Sequence, residues 1–453
     1  MIADEMSRHQ KVTEWHAARC LYFGGQMMKQ NAELFLNRRQ KEPIEVYRER
    51  IASAYYENYI GSIIDWYVSA VFRREPVIFT QGASDEAKRF LSRFLDNCDR
   101  RGTTLTEFFR TVVRDAMLFG NAHLTLDFPR YSQEPKTRVE AEQMGVDAAY
   151  LVNCAPEQVG TWRVDEVGTP EFVRIEVSRE QEEGAGPGTE KRLVFEYTKS
   201  RLRIQERVID DSGAASEQTL AECGHCLSHR NTVPVIRLEL PHGLWMMERA
   251  GHVQLEHFNK ANALSWALSM GLFATPVVYS DREWTQIAGD SYFIQLSPED
   301  RFGWTEPEGK VYRIAAENLE RLKSEIFRVC HLGAHAGLGG ATVSQSGLSK
   351  QRDFQITQEV LRALGDWVKK GLKRVIEAAL HAWGEDVLVI VAGMDQFDIG
   401  EFSAELTDAE KLLAMKIGSR TLEKQIHKKL ALQFLGDMRQ EVKDAIVSEI
   451  ENG

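Results

Sequence analysis

Residues 337–383 read GLGGATVSQSGLSKQRDFQITQEVLRALGDWVKKGLKRVIEAALHAW, and this stretch decides the architecture. Its second part holds the strongest periodicity in the chain. Val360, Leu361, Leu364, Trp367, Val368, Leu372, Val375, Ile376, Ala379, Leu380 and Trp383 recur at three- and four-residue steps, the period of an amphipathic helix. The pattern predicts one helix over Lys350 to Trp383, on the order of 50 Å long at the helical rise. Its first part, Gly337 to Ser349, is rich in glycine and hydroxyl residues and predicts a loop.

Upstream of that loop the spacing predicts a helix over Ala316 to about Ala336 and another over Trp245 to Met270. Gly271 and Pro276 break the earlier one. Between them, Thr275 to Tyr279, Tyr292 to Leu296 and Lys310 to Ile314 read as short extended pieces separated by acidic and Gly/Pro-containing turns. Two helices therefore bracket a small β insertion. Before them, Tyr150 to Leu240 changes to a period of two: Phe172, Arg174 and Glu176 oppose Val173, Ile175 and Val177. Leu193 to Tyr197 and Leu202 to Val208 behave alike. Gly184 to Gly188 and Asp210 to Gly213 supply turns, so hairpins are expected.

The first third reads as helices. Ile51, Tyr55, Tyr59, Ile63, Ile64, Tyr67, Val71 and Phe72 predict one long amphipathic helix that cannot pass Pro76. A second spans Ser84 to Cys98. A third opens on Thr104, with Glu107 completing a capping box, and Gly120 ends it before a strand over Ala122 to Asp127. Beyond the long helix come a strand, Val387 to Ala392, another capping box at Thr407 and Glu410, and short helices around Gly418 and Gly436. The fold class is α+β, mainly α.

At 453 residues the chain exceeds what one hydrophobic core usually supports. A net charge of -11 is opposite to the basic footprint of a protein that grips phosphates, although an acidic wall lets DNA slide because repelled phosphates find no deep minima. The start at Met1 to Gln10 lacks the pattern of a secretory signal, and six scattered cysteines suit a reducing compartment, so an intracellular protein is expected. No apolar run approaches the ~20 residues of a membrane span.

Cys223-Gly-His-Cys226 has the spacing of a redox pair or half a zinc site, and His229 could add a ligand. It sits in a turn-rich stretch before a β-like segment, without a second Cys/His pair, which favours an ordinary hairpin loop over a Cys-based metal or redox enzyme. His331 and His335 stand four apart on a predicted helix but enclose no glutamate of the zinc-protease kind. His252 and His257, five apart, share no face. Gly347 is followed by Leu348 and Ser349 rather than the Lys-Ser/Thr of a phosphate-binding loop, and no Gly-x-Ser-x-Gly elbow exists. The reading is non-enzymatic, with no catalytic residue, metal or cofactor.

The succession of helix, β insertion, helix, glycine loop, long helix and helical tail resembles the portal proteins of tailed phages. Local texture agrees in Tyr47-Arg48 through Ile63, Trp66, Phe72 and Pro76, in Leu118-Phe119-Gly120-Asn121-Ala122 to Asp127-Phe128-Pro129, in Gln254 to Pro276, and in Ser344-Gln-Ser-Gly347. The resemblance implies a helical wing part over 1–130, a β-rich wing over 131–244, stem helices over 245–271 and 315–336, and a clip over 272–314. It implies a tunnel loop over 337–349, a long wing helix and strand over 350–402, and a short helical crown over 403–453. Gly337, Gly339, Gly340, Thr342, Ser344, Gln345, Ser346 and Gly347 would brush DNA in the channel, with Lys350 and Arg352 adding weak phosphate contacts. Asp281, Arg282, Glu283 and Trp284 would be the clip face that docks the motor.

The function implied is that of a portal subunit in a ring of twelve at one capsid vertex, carrying a formal charge of about -132. Double-stranded DNA would pass through it non-specifically during packaging and ejection. Expected partners are the large terminase subunit, head-completion or neck proteins, and major capsid or scaffold protein, with no membrane. The expected location is the virion, and the host cytoplasm during assembly. Another phage head structural or head-completion protein would share the long helix and acidic charge.

Overall fold

The computed structural model describes residues 2–129, 148–178, 190–209, 215–271, 275–279, 301–305, 309–333, 347–394, 397 and 419–420, with isolated positions from 423 to 450. The fold is mixed α and β. Its contacts divide it into two compact units: Met1–His16, Ile64–Met247 and Gln345–Gly453 form one, and Ala17–Ile63 with Glu248–Ser344 the other.

The helices at the N-terminal side are α1 (Ile2–Phe23), α2 (Gly25–Gln30), α3 (Ala32–Phe35), α4 (Ile44–Ala52) and α5 (Tyr59–Val71). The expected single helix through Ile51 and Phe72 is thus two, separated at Ser53–Asn58, and the cause lies in the second unit, described below. Strand β1 (Val77–Gln81) leads into α6 (Asp85–Asp96), where the Ser84 side chain accepts from the Ala87 amide and caps the helix. Helix α7 (Leu105–Phe119) opens on the expected capping box of Thr104 and Glu107 and closes at Gly120, φ 78°. A Cβ there would meet the Trp245 ring at 3.1 Å, so glycine serves both the left-handed turn and the close approach.

The first unit is built around α10 (Gly347–Trp383), labelled after α8 (Met246–Gly271) and α9 (Gly309–Val329) of the second. Leu361, Leu364, Val368, Leu372, Val375, Ile376, Ala379 and Leu380 form an uninterrupted buried stripe along it. Fully burying side chains of this size contributes about 1.5–3 kcal/mol each before conformational entropy is subtracted. Two helix glycines show how closely neighbours approach. A Cβ on Gly365 would collide with the Met394 carbonyl, and one on Gly371 would lie 3.2 Å from Leu238 and Phe109. Phe90 of α6 stacks on Trp383 at the end of α10, ring centroids 4.6 Å apart.

Strand β12 (Leu388–Ala392) returns from α10 and pairs antiparallel with β1, Val77 opposite Ala392. A three-stranded antiparallel sheet has the order β3-β2-β9, from β2 (Asn121–Asp127), β3 (Tyr150–Cys154) and β9 (Val235–Glu239). A five-stranded one runs β4-β5-β6-β7-β8, made of Val159–Val164, Pro170–Ser178, Glu190–Thr198, Leu202–Ile209 and Ala215–Cys223. All its pairings are antiparallel, as the alternation over 150–240 predicts.

That alternation separates two faces. Val173, Ile175, Tyr197 and Leu202 are buried against Cys154, Val233 and Val235. The other face carries a charge lattice: Arg174 reaches Glu176, Glu196 and Glu217 at 3.2, 3.1 and 2.5 Å, and Arg192 and Arg207 also reach Glu176. Glu176 is buried beneath three guanidinium groups. A network of this density, partly shielded from water, contributes more than isolated surface pairs do.

Candidate functional site

The second unit contains the helix pair and the insertion. Leaving α8, the chain enters β10 (Thr275–Tyr279), which pairs antiparallel with β11 (Arg301–Thr305), Thr275 opposite Thr305 and Tyr279 opposite Arg301. It then enters α9. Near the strands, the Tyr312 hydroxyl donates to the Ala267 carbonyl at 3.3 Å. At the other end, Arg249 donates to the Val329 carbonyl at 3.1 Å and lies 2.8 Å from His331 Nε2. The two helices are antiparallel neighbours, bonded at both ends.

Two boundaries differ from the sequence reading. Lys310 to Ile314, expected as an extended piece, is the first turn of α9, and β11 lies upstream of it. Five residues of alternation fit either period. The outcome is fixed by the longer stripe of Tyr312, Ala315, Leu319, Leu322 and Ile326, of which Leu322 and Ile326 are buried. The helix also stops at Val329, and His331 takes φ 60°, so His331 is not on a helix face shared with His335.

Three amides on α8 hold the N-terminal segment against it. Gln254 accepts from the Ile60 amide at 3.3 Å and donates to the Glu57 carbonyl at 2.8 Å. Asn259 accepts from Asn37 N at 2.8 Å and donates to the Phe35 carbonyl at 3.0 Å. Asn262 accepts from Tyr55 N and donates to its carbonyl, at 3.0 and 2.9 Å. Each amide satisfies a backbone donor and a backbone acceptor that a continuous helix would have paired internally. Here is the cause of the break at Ser53–Asn58: Asn58 also caps α5 by accepting from Gly61 N at 2.9 Å, and donates to the Tyr22 carbonyl.

His257 is buried in the same row. Its ring meets Tyr59 edge-on at 5.1 Å, and its Nε2 lies 3.9 Å from the Glu57 carboxylate, which also bonds the Tyr59 hydroxyl. Burial pulls the imidazole below its usual range, Lys323 adds to that, and Glu57 and Glu320 oppose it. His257 is therefore packed against the Tyr59 ring rather than offered to solvent. The row was legible in principle: Gln254, His257, Asn259 and Asn262 interrupt an apolar stripe at helical steps. Sequence reasoning weighed only His257, against His252, and assigned the amides no role because polar residues on a helix ordinarily mark its solvated side.

Toward the strands this cover ends. Leu264 and Trp266 are half-buried and Leu268 is 43% exposed, while Val311 and Ile314 on α9 are 66% and 54% exposed and Tyr279 on β10 is 65% exposed. Large apolar side chains are thus exposed in the last turn of α8, in the first turns of α9 and at the far end of β10.

Of the expected channel residues, Gly347 is the first residue of α10 and Lys350 lies in its first turn, so the loop ends before Gly347 rather than at Ser349. Gly337, Gly339, Gly340, Thr342, Ser344, Gln345 and Ser346 lie outside the described residues, as do Asp281, Arg282, Glu283 and Trp284 of the expected docking face. The same holds for Tyr292 to Leu296 and for Thr407 and Glu410.

In the first unit, Cys223 ends β8 and Cys226 lies in the turn beyond it, its Sγ 3.3 Å from the Leu126 carbonyl. His225 is buried with Nε2 2.9 Å from the Thr198 carbonyl, and His229 Nε2 is 3.1 Å from the His381 carbonyl. The cysteines are unbridged, and among the described residues no three His, Cys, Asp or Glu side chains converge as a metal site would require. A pocket of about 270 Å³ beside them, lined by Asp127, Phe128, Pro129, Gly224, Cys226 and Ala382, is open and shallow. No helix among the described residues is long and apolar enough to cross a membrane.

No protein-family model matches the chain, and no curated protein does. Among solved structures, the chain is similar to one from the neck of an empty gene transfer agent particle computed with C6 symmetry, at TM-score 0.44 and 13% identity. That match covers 79% of this chain and 85% of the other. A chain from the virion of a native gene transfer agent particle gives 0.42 and 14%, covering 86% and 93%. One from the neck of a native particle computed with C12 symmetry gives 0.39 and 12%, covering 79% and 84%.

Proposed function

We propose that this chain is the subunit of a phage portal, a ring of about twelve copies at one capsid vertex whose channel passes double-stranded DNA. The observation that carries the reading is the antiparallel pair of α8 and α9, 26 and 21 residues long, joined through a β pair and leaving apolar residues uncovered at the strand end. The strand end of the pair leaves apolar side chains exposed, and copies placed around an axis would cover them by heterologous contact.

In this reading α8 and α9 form the stem, β10 and β11 belong to the clip, and the segment between α9 and α10 is the tunnel loop. Helix α10 and the two larger sheets belong to the wing. A chain of net charge -11 repeated around a channel repels DNA phosphates, so the polymer moves without deep binding minima. Glycines and neutral hydroxyls at 337–346 would touch DNA without holding it. Residues 281–284 would face the packaging motor and later the neck proteins.

Deleting residues 337–346 is expected to leave ring assembly intact and to stop genome packaging, measured as filled heads in a complementation assay. Normally filled heads from that variant would remove the loop from the mechanism. A head-completion protein would instead purify as a monomer or small oligomer, so native mass separates the two readings.

A further inference from the structure

Where α8 seats residues 53–60, one side chain is placed unlike the amides beside it. His257 is 2% exposed, and its Nδ1 is buried without a hydrogen-bond partner. Its other ring nitrogen, Nε2, lies 3.9 Å from Oε2 of Glu57. The same carboxylate oxygen accepts from the Tyr59 hydroxyl, and the Tyr59 ring stands edge-on to the imidazole at 5.1 Å. One oxygen thus faces two claimants, and the hydroxyl holds it.

The carboxylate favours the imidazole proton on Nε2, which leaves a bare lone pair on Nδ1. Charging the ring then adds an N–H at Nδ1, where no described residue offers an acceptor, and a buried unpaired donor is costly. The other charges in reach are already occupied. On α9, Glu320 is paired with Lys323 at 3.5 Å, and Lys323 Nζ sits 5.9 Å over the Tyr59 ring. On α8 itself, Glu256 is paired with Lys260 at 3.5 Å. Glu57 is left to answer a charged ring, and turning toward it gives up the Tyr59 hydroxyl. That movement falls on the residue whose backbone carbonyl Gln254 holds, between the Tyr55 and Ile60 amides bonded by Asn262 and Gln254.

We propose that His257 is an acid-sensitive latch on the break between α4 and α5: neutral, it leaves Glu57 on Tyr59, and protonated, it draws Glu57 away and loosens residues 53–60 from α8. The latch lies within one unit and does not rest on the ring reading. Its direction follows from burial, the largest influence, which with Lys323 pulls the folded imidazole below an ordinary 6.5 against the opposing pull of Glu57 and Glu320. The unfolded chain therefore takes up a proton at a pH where the folded ring is still neutral. The seat is fully held above 6.5 and is lost as the pH falls through the lower value of the folded ring.

The test follows the full chain through a pH series from about 8 to about 4, which brackets histidine titration. Exchange of the imidazole C2 hydrogen, read by mass, reports the charge on His257. Amide exchange, corrected for its intrinsic pH dependence, reports the hold on Tyr55 and Ile60. Protection of both amides is expected to fall about tenfold along the curve on which the ring takes up its proton. Glu57→Gln removes the opposing charge and should carry both curves to lower pH together. His257→Phe keeps an aromatic ring without a titrating nitrogen and should leave protection flat across the series. A charged ring with both amides still protected would overturn the latch, and so would an acid release that survives in His257→Phe. A ring that stays neutral throughout the series would overturn it as well. Should His257→Phe fail to fold, Glu57→Gln decides the matter: a release that stays in place while the titration of the ring moves counts against the latch.

Discussion

Helix α10 and the pair α8–α9 are both long and amphipathic, yet their apolar stripes are covered to different extents. From Leu361 to Leu380 its apolar stripe is buried, sealed by α6, α7 and the strands around it. Along α8 and α9 the apolar side chains lose their cover toward the strands, where Leu268, Val311 and Ile314 stand exposed. The contrast teaches that periodicity reports which face of a helix is apolar and not what covers it. A helix covered by its own chain serves stability, and under the portal proposal the uncovered end of α8 and α9 is what neighbouring copies would meet.

The sharpest way to break that contrast is at Gly365. Its Cβ would collide with the Met394 carbonyl, a backbone atom that cannot turn aside. Gly365→Ala is expected to cost roughly 4 kcal/mol in urea unfolding, near the upper end of single-site effects. Next comes Leu372→Ala in the buried stripe, at about 3 kcal/mol. Full stability in either variant would mean that α10 is not a core helix.

The first unit also carries a pH signature. His123 on β2 is buried, and burial followed by the nearby Arg237 charge holds its pKa at about 4 against an ordinary 6.5. Folded His123 stays neutral while the unfolded chain binds a proton, so stability is full above pH 6.5 and falls as the pH drops toward 4. Below that it loses no more from this group. The total is about 3 kcal/mol at 1.36 kcal/mol per pKa unit, and His123→Leu is expected to flatten this part of the profile. An unchanged slope would place the acid sensitivity elsewhere.

In the second unit, Gln254→Ala removes both bonds that hold Glu57 and Ile60 and is expected to cost about 2 kcal/mol. The smallest effect on stability belongs to Ile314→Ser, expected within about 0.5 kcal/mol because the side chain is exposed. The same substitution should lower the oligomer fraction measured by sedimentation. Loss of subunit stability with the oligomer intact would reverse the assignment of that surface.

Much of this fold was legible in the chain because its signals are local. The Thr104 and Glu107 capping box, the Gly120 stop, the alternation in β5 to β7, the Thr275–Tyr279 strand and the periodicity of α10 each declare themselves within a few residues. What escaped depends on distant partners. β1 has little pattern of its own and exists through β12, more than three hundred residues away. The break between α4 and α5 is invisible in the spacing of Ile51, Tyr55 and Tyr59, since Gln254 and Asn262 on α8 make it. Lys310 to Ile314 was too short a stretch to tell one period from another. The candidate site was legible as an order of elements, while its exposed apolar end appeared only with the fold.

The most direct measurement is the native mass of the purified chain, paired with end-on electron micrographs of the same sample. A ring with a central hole near 620 kDa, about twelve copies of a 51.6 kDa chain, is the expected result. A compact particle of one or two chains with no hole would contradict the claim that the open face of α8 and α9 exists to meet its own copies.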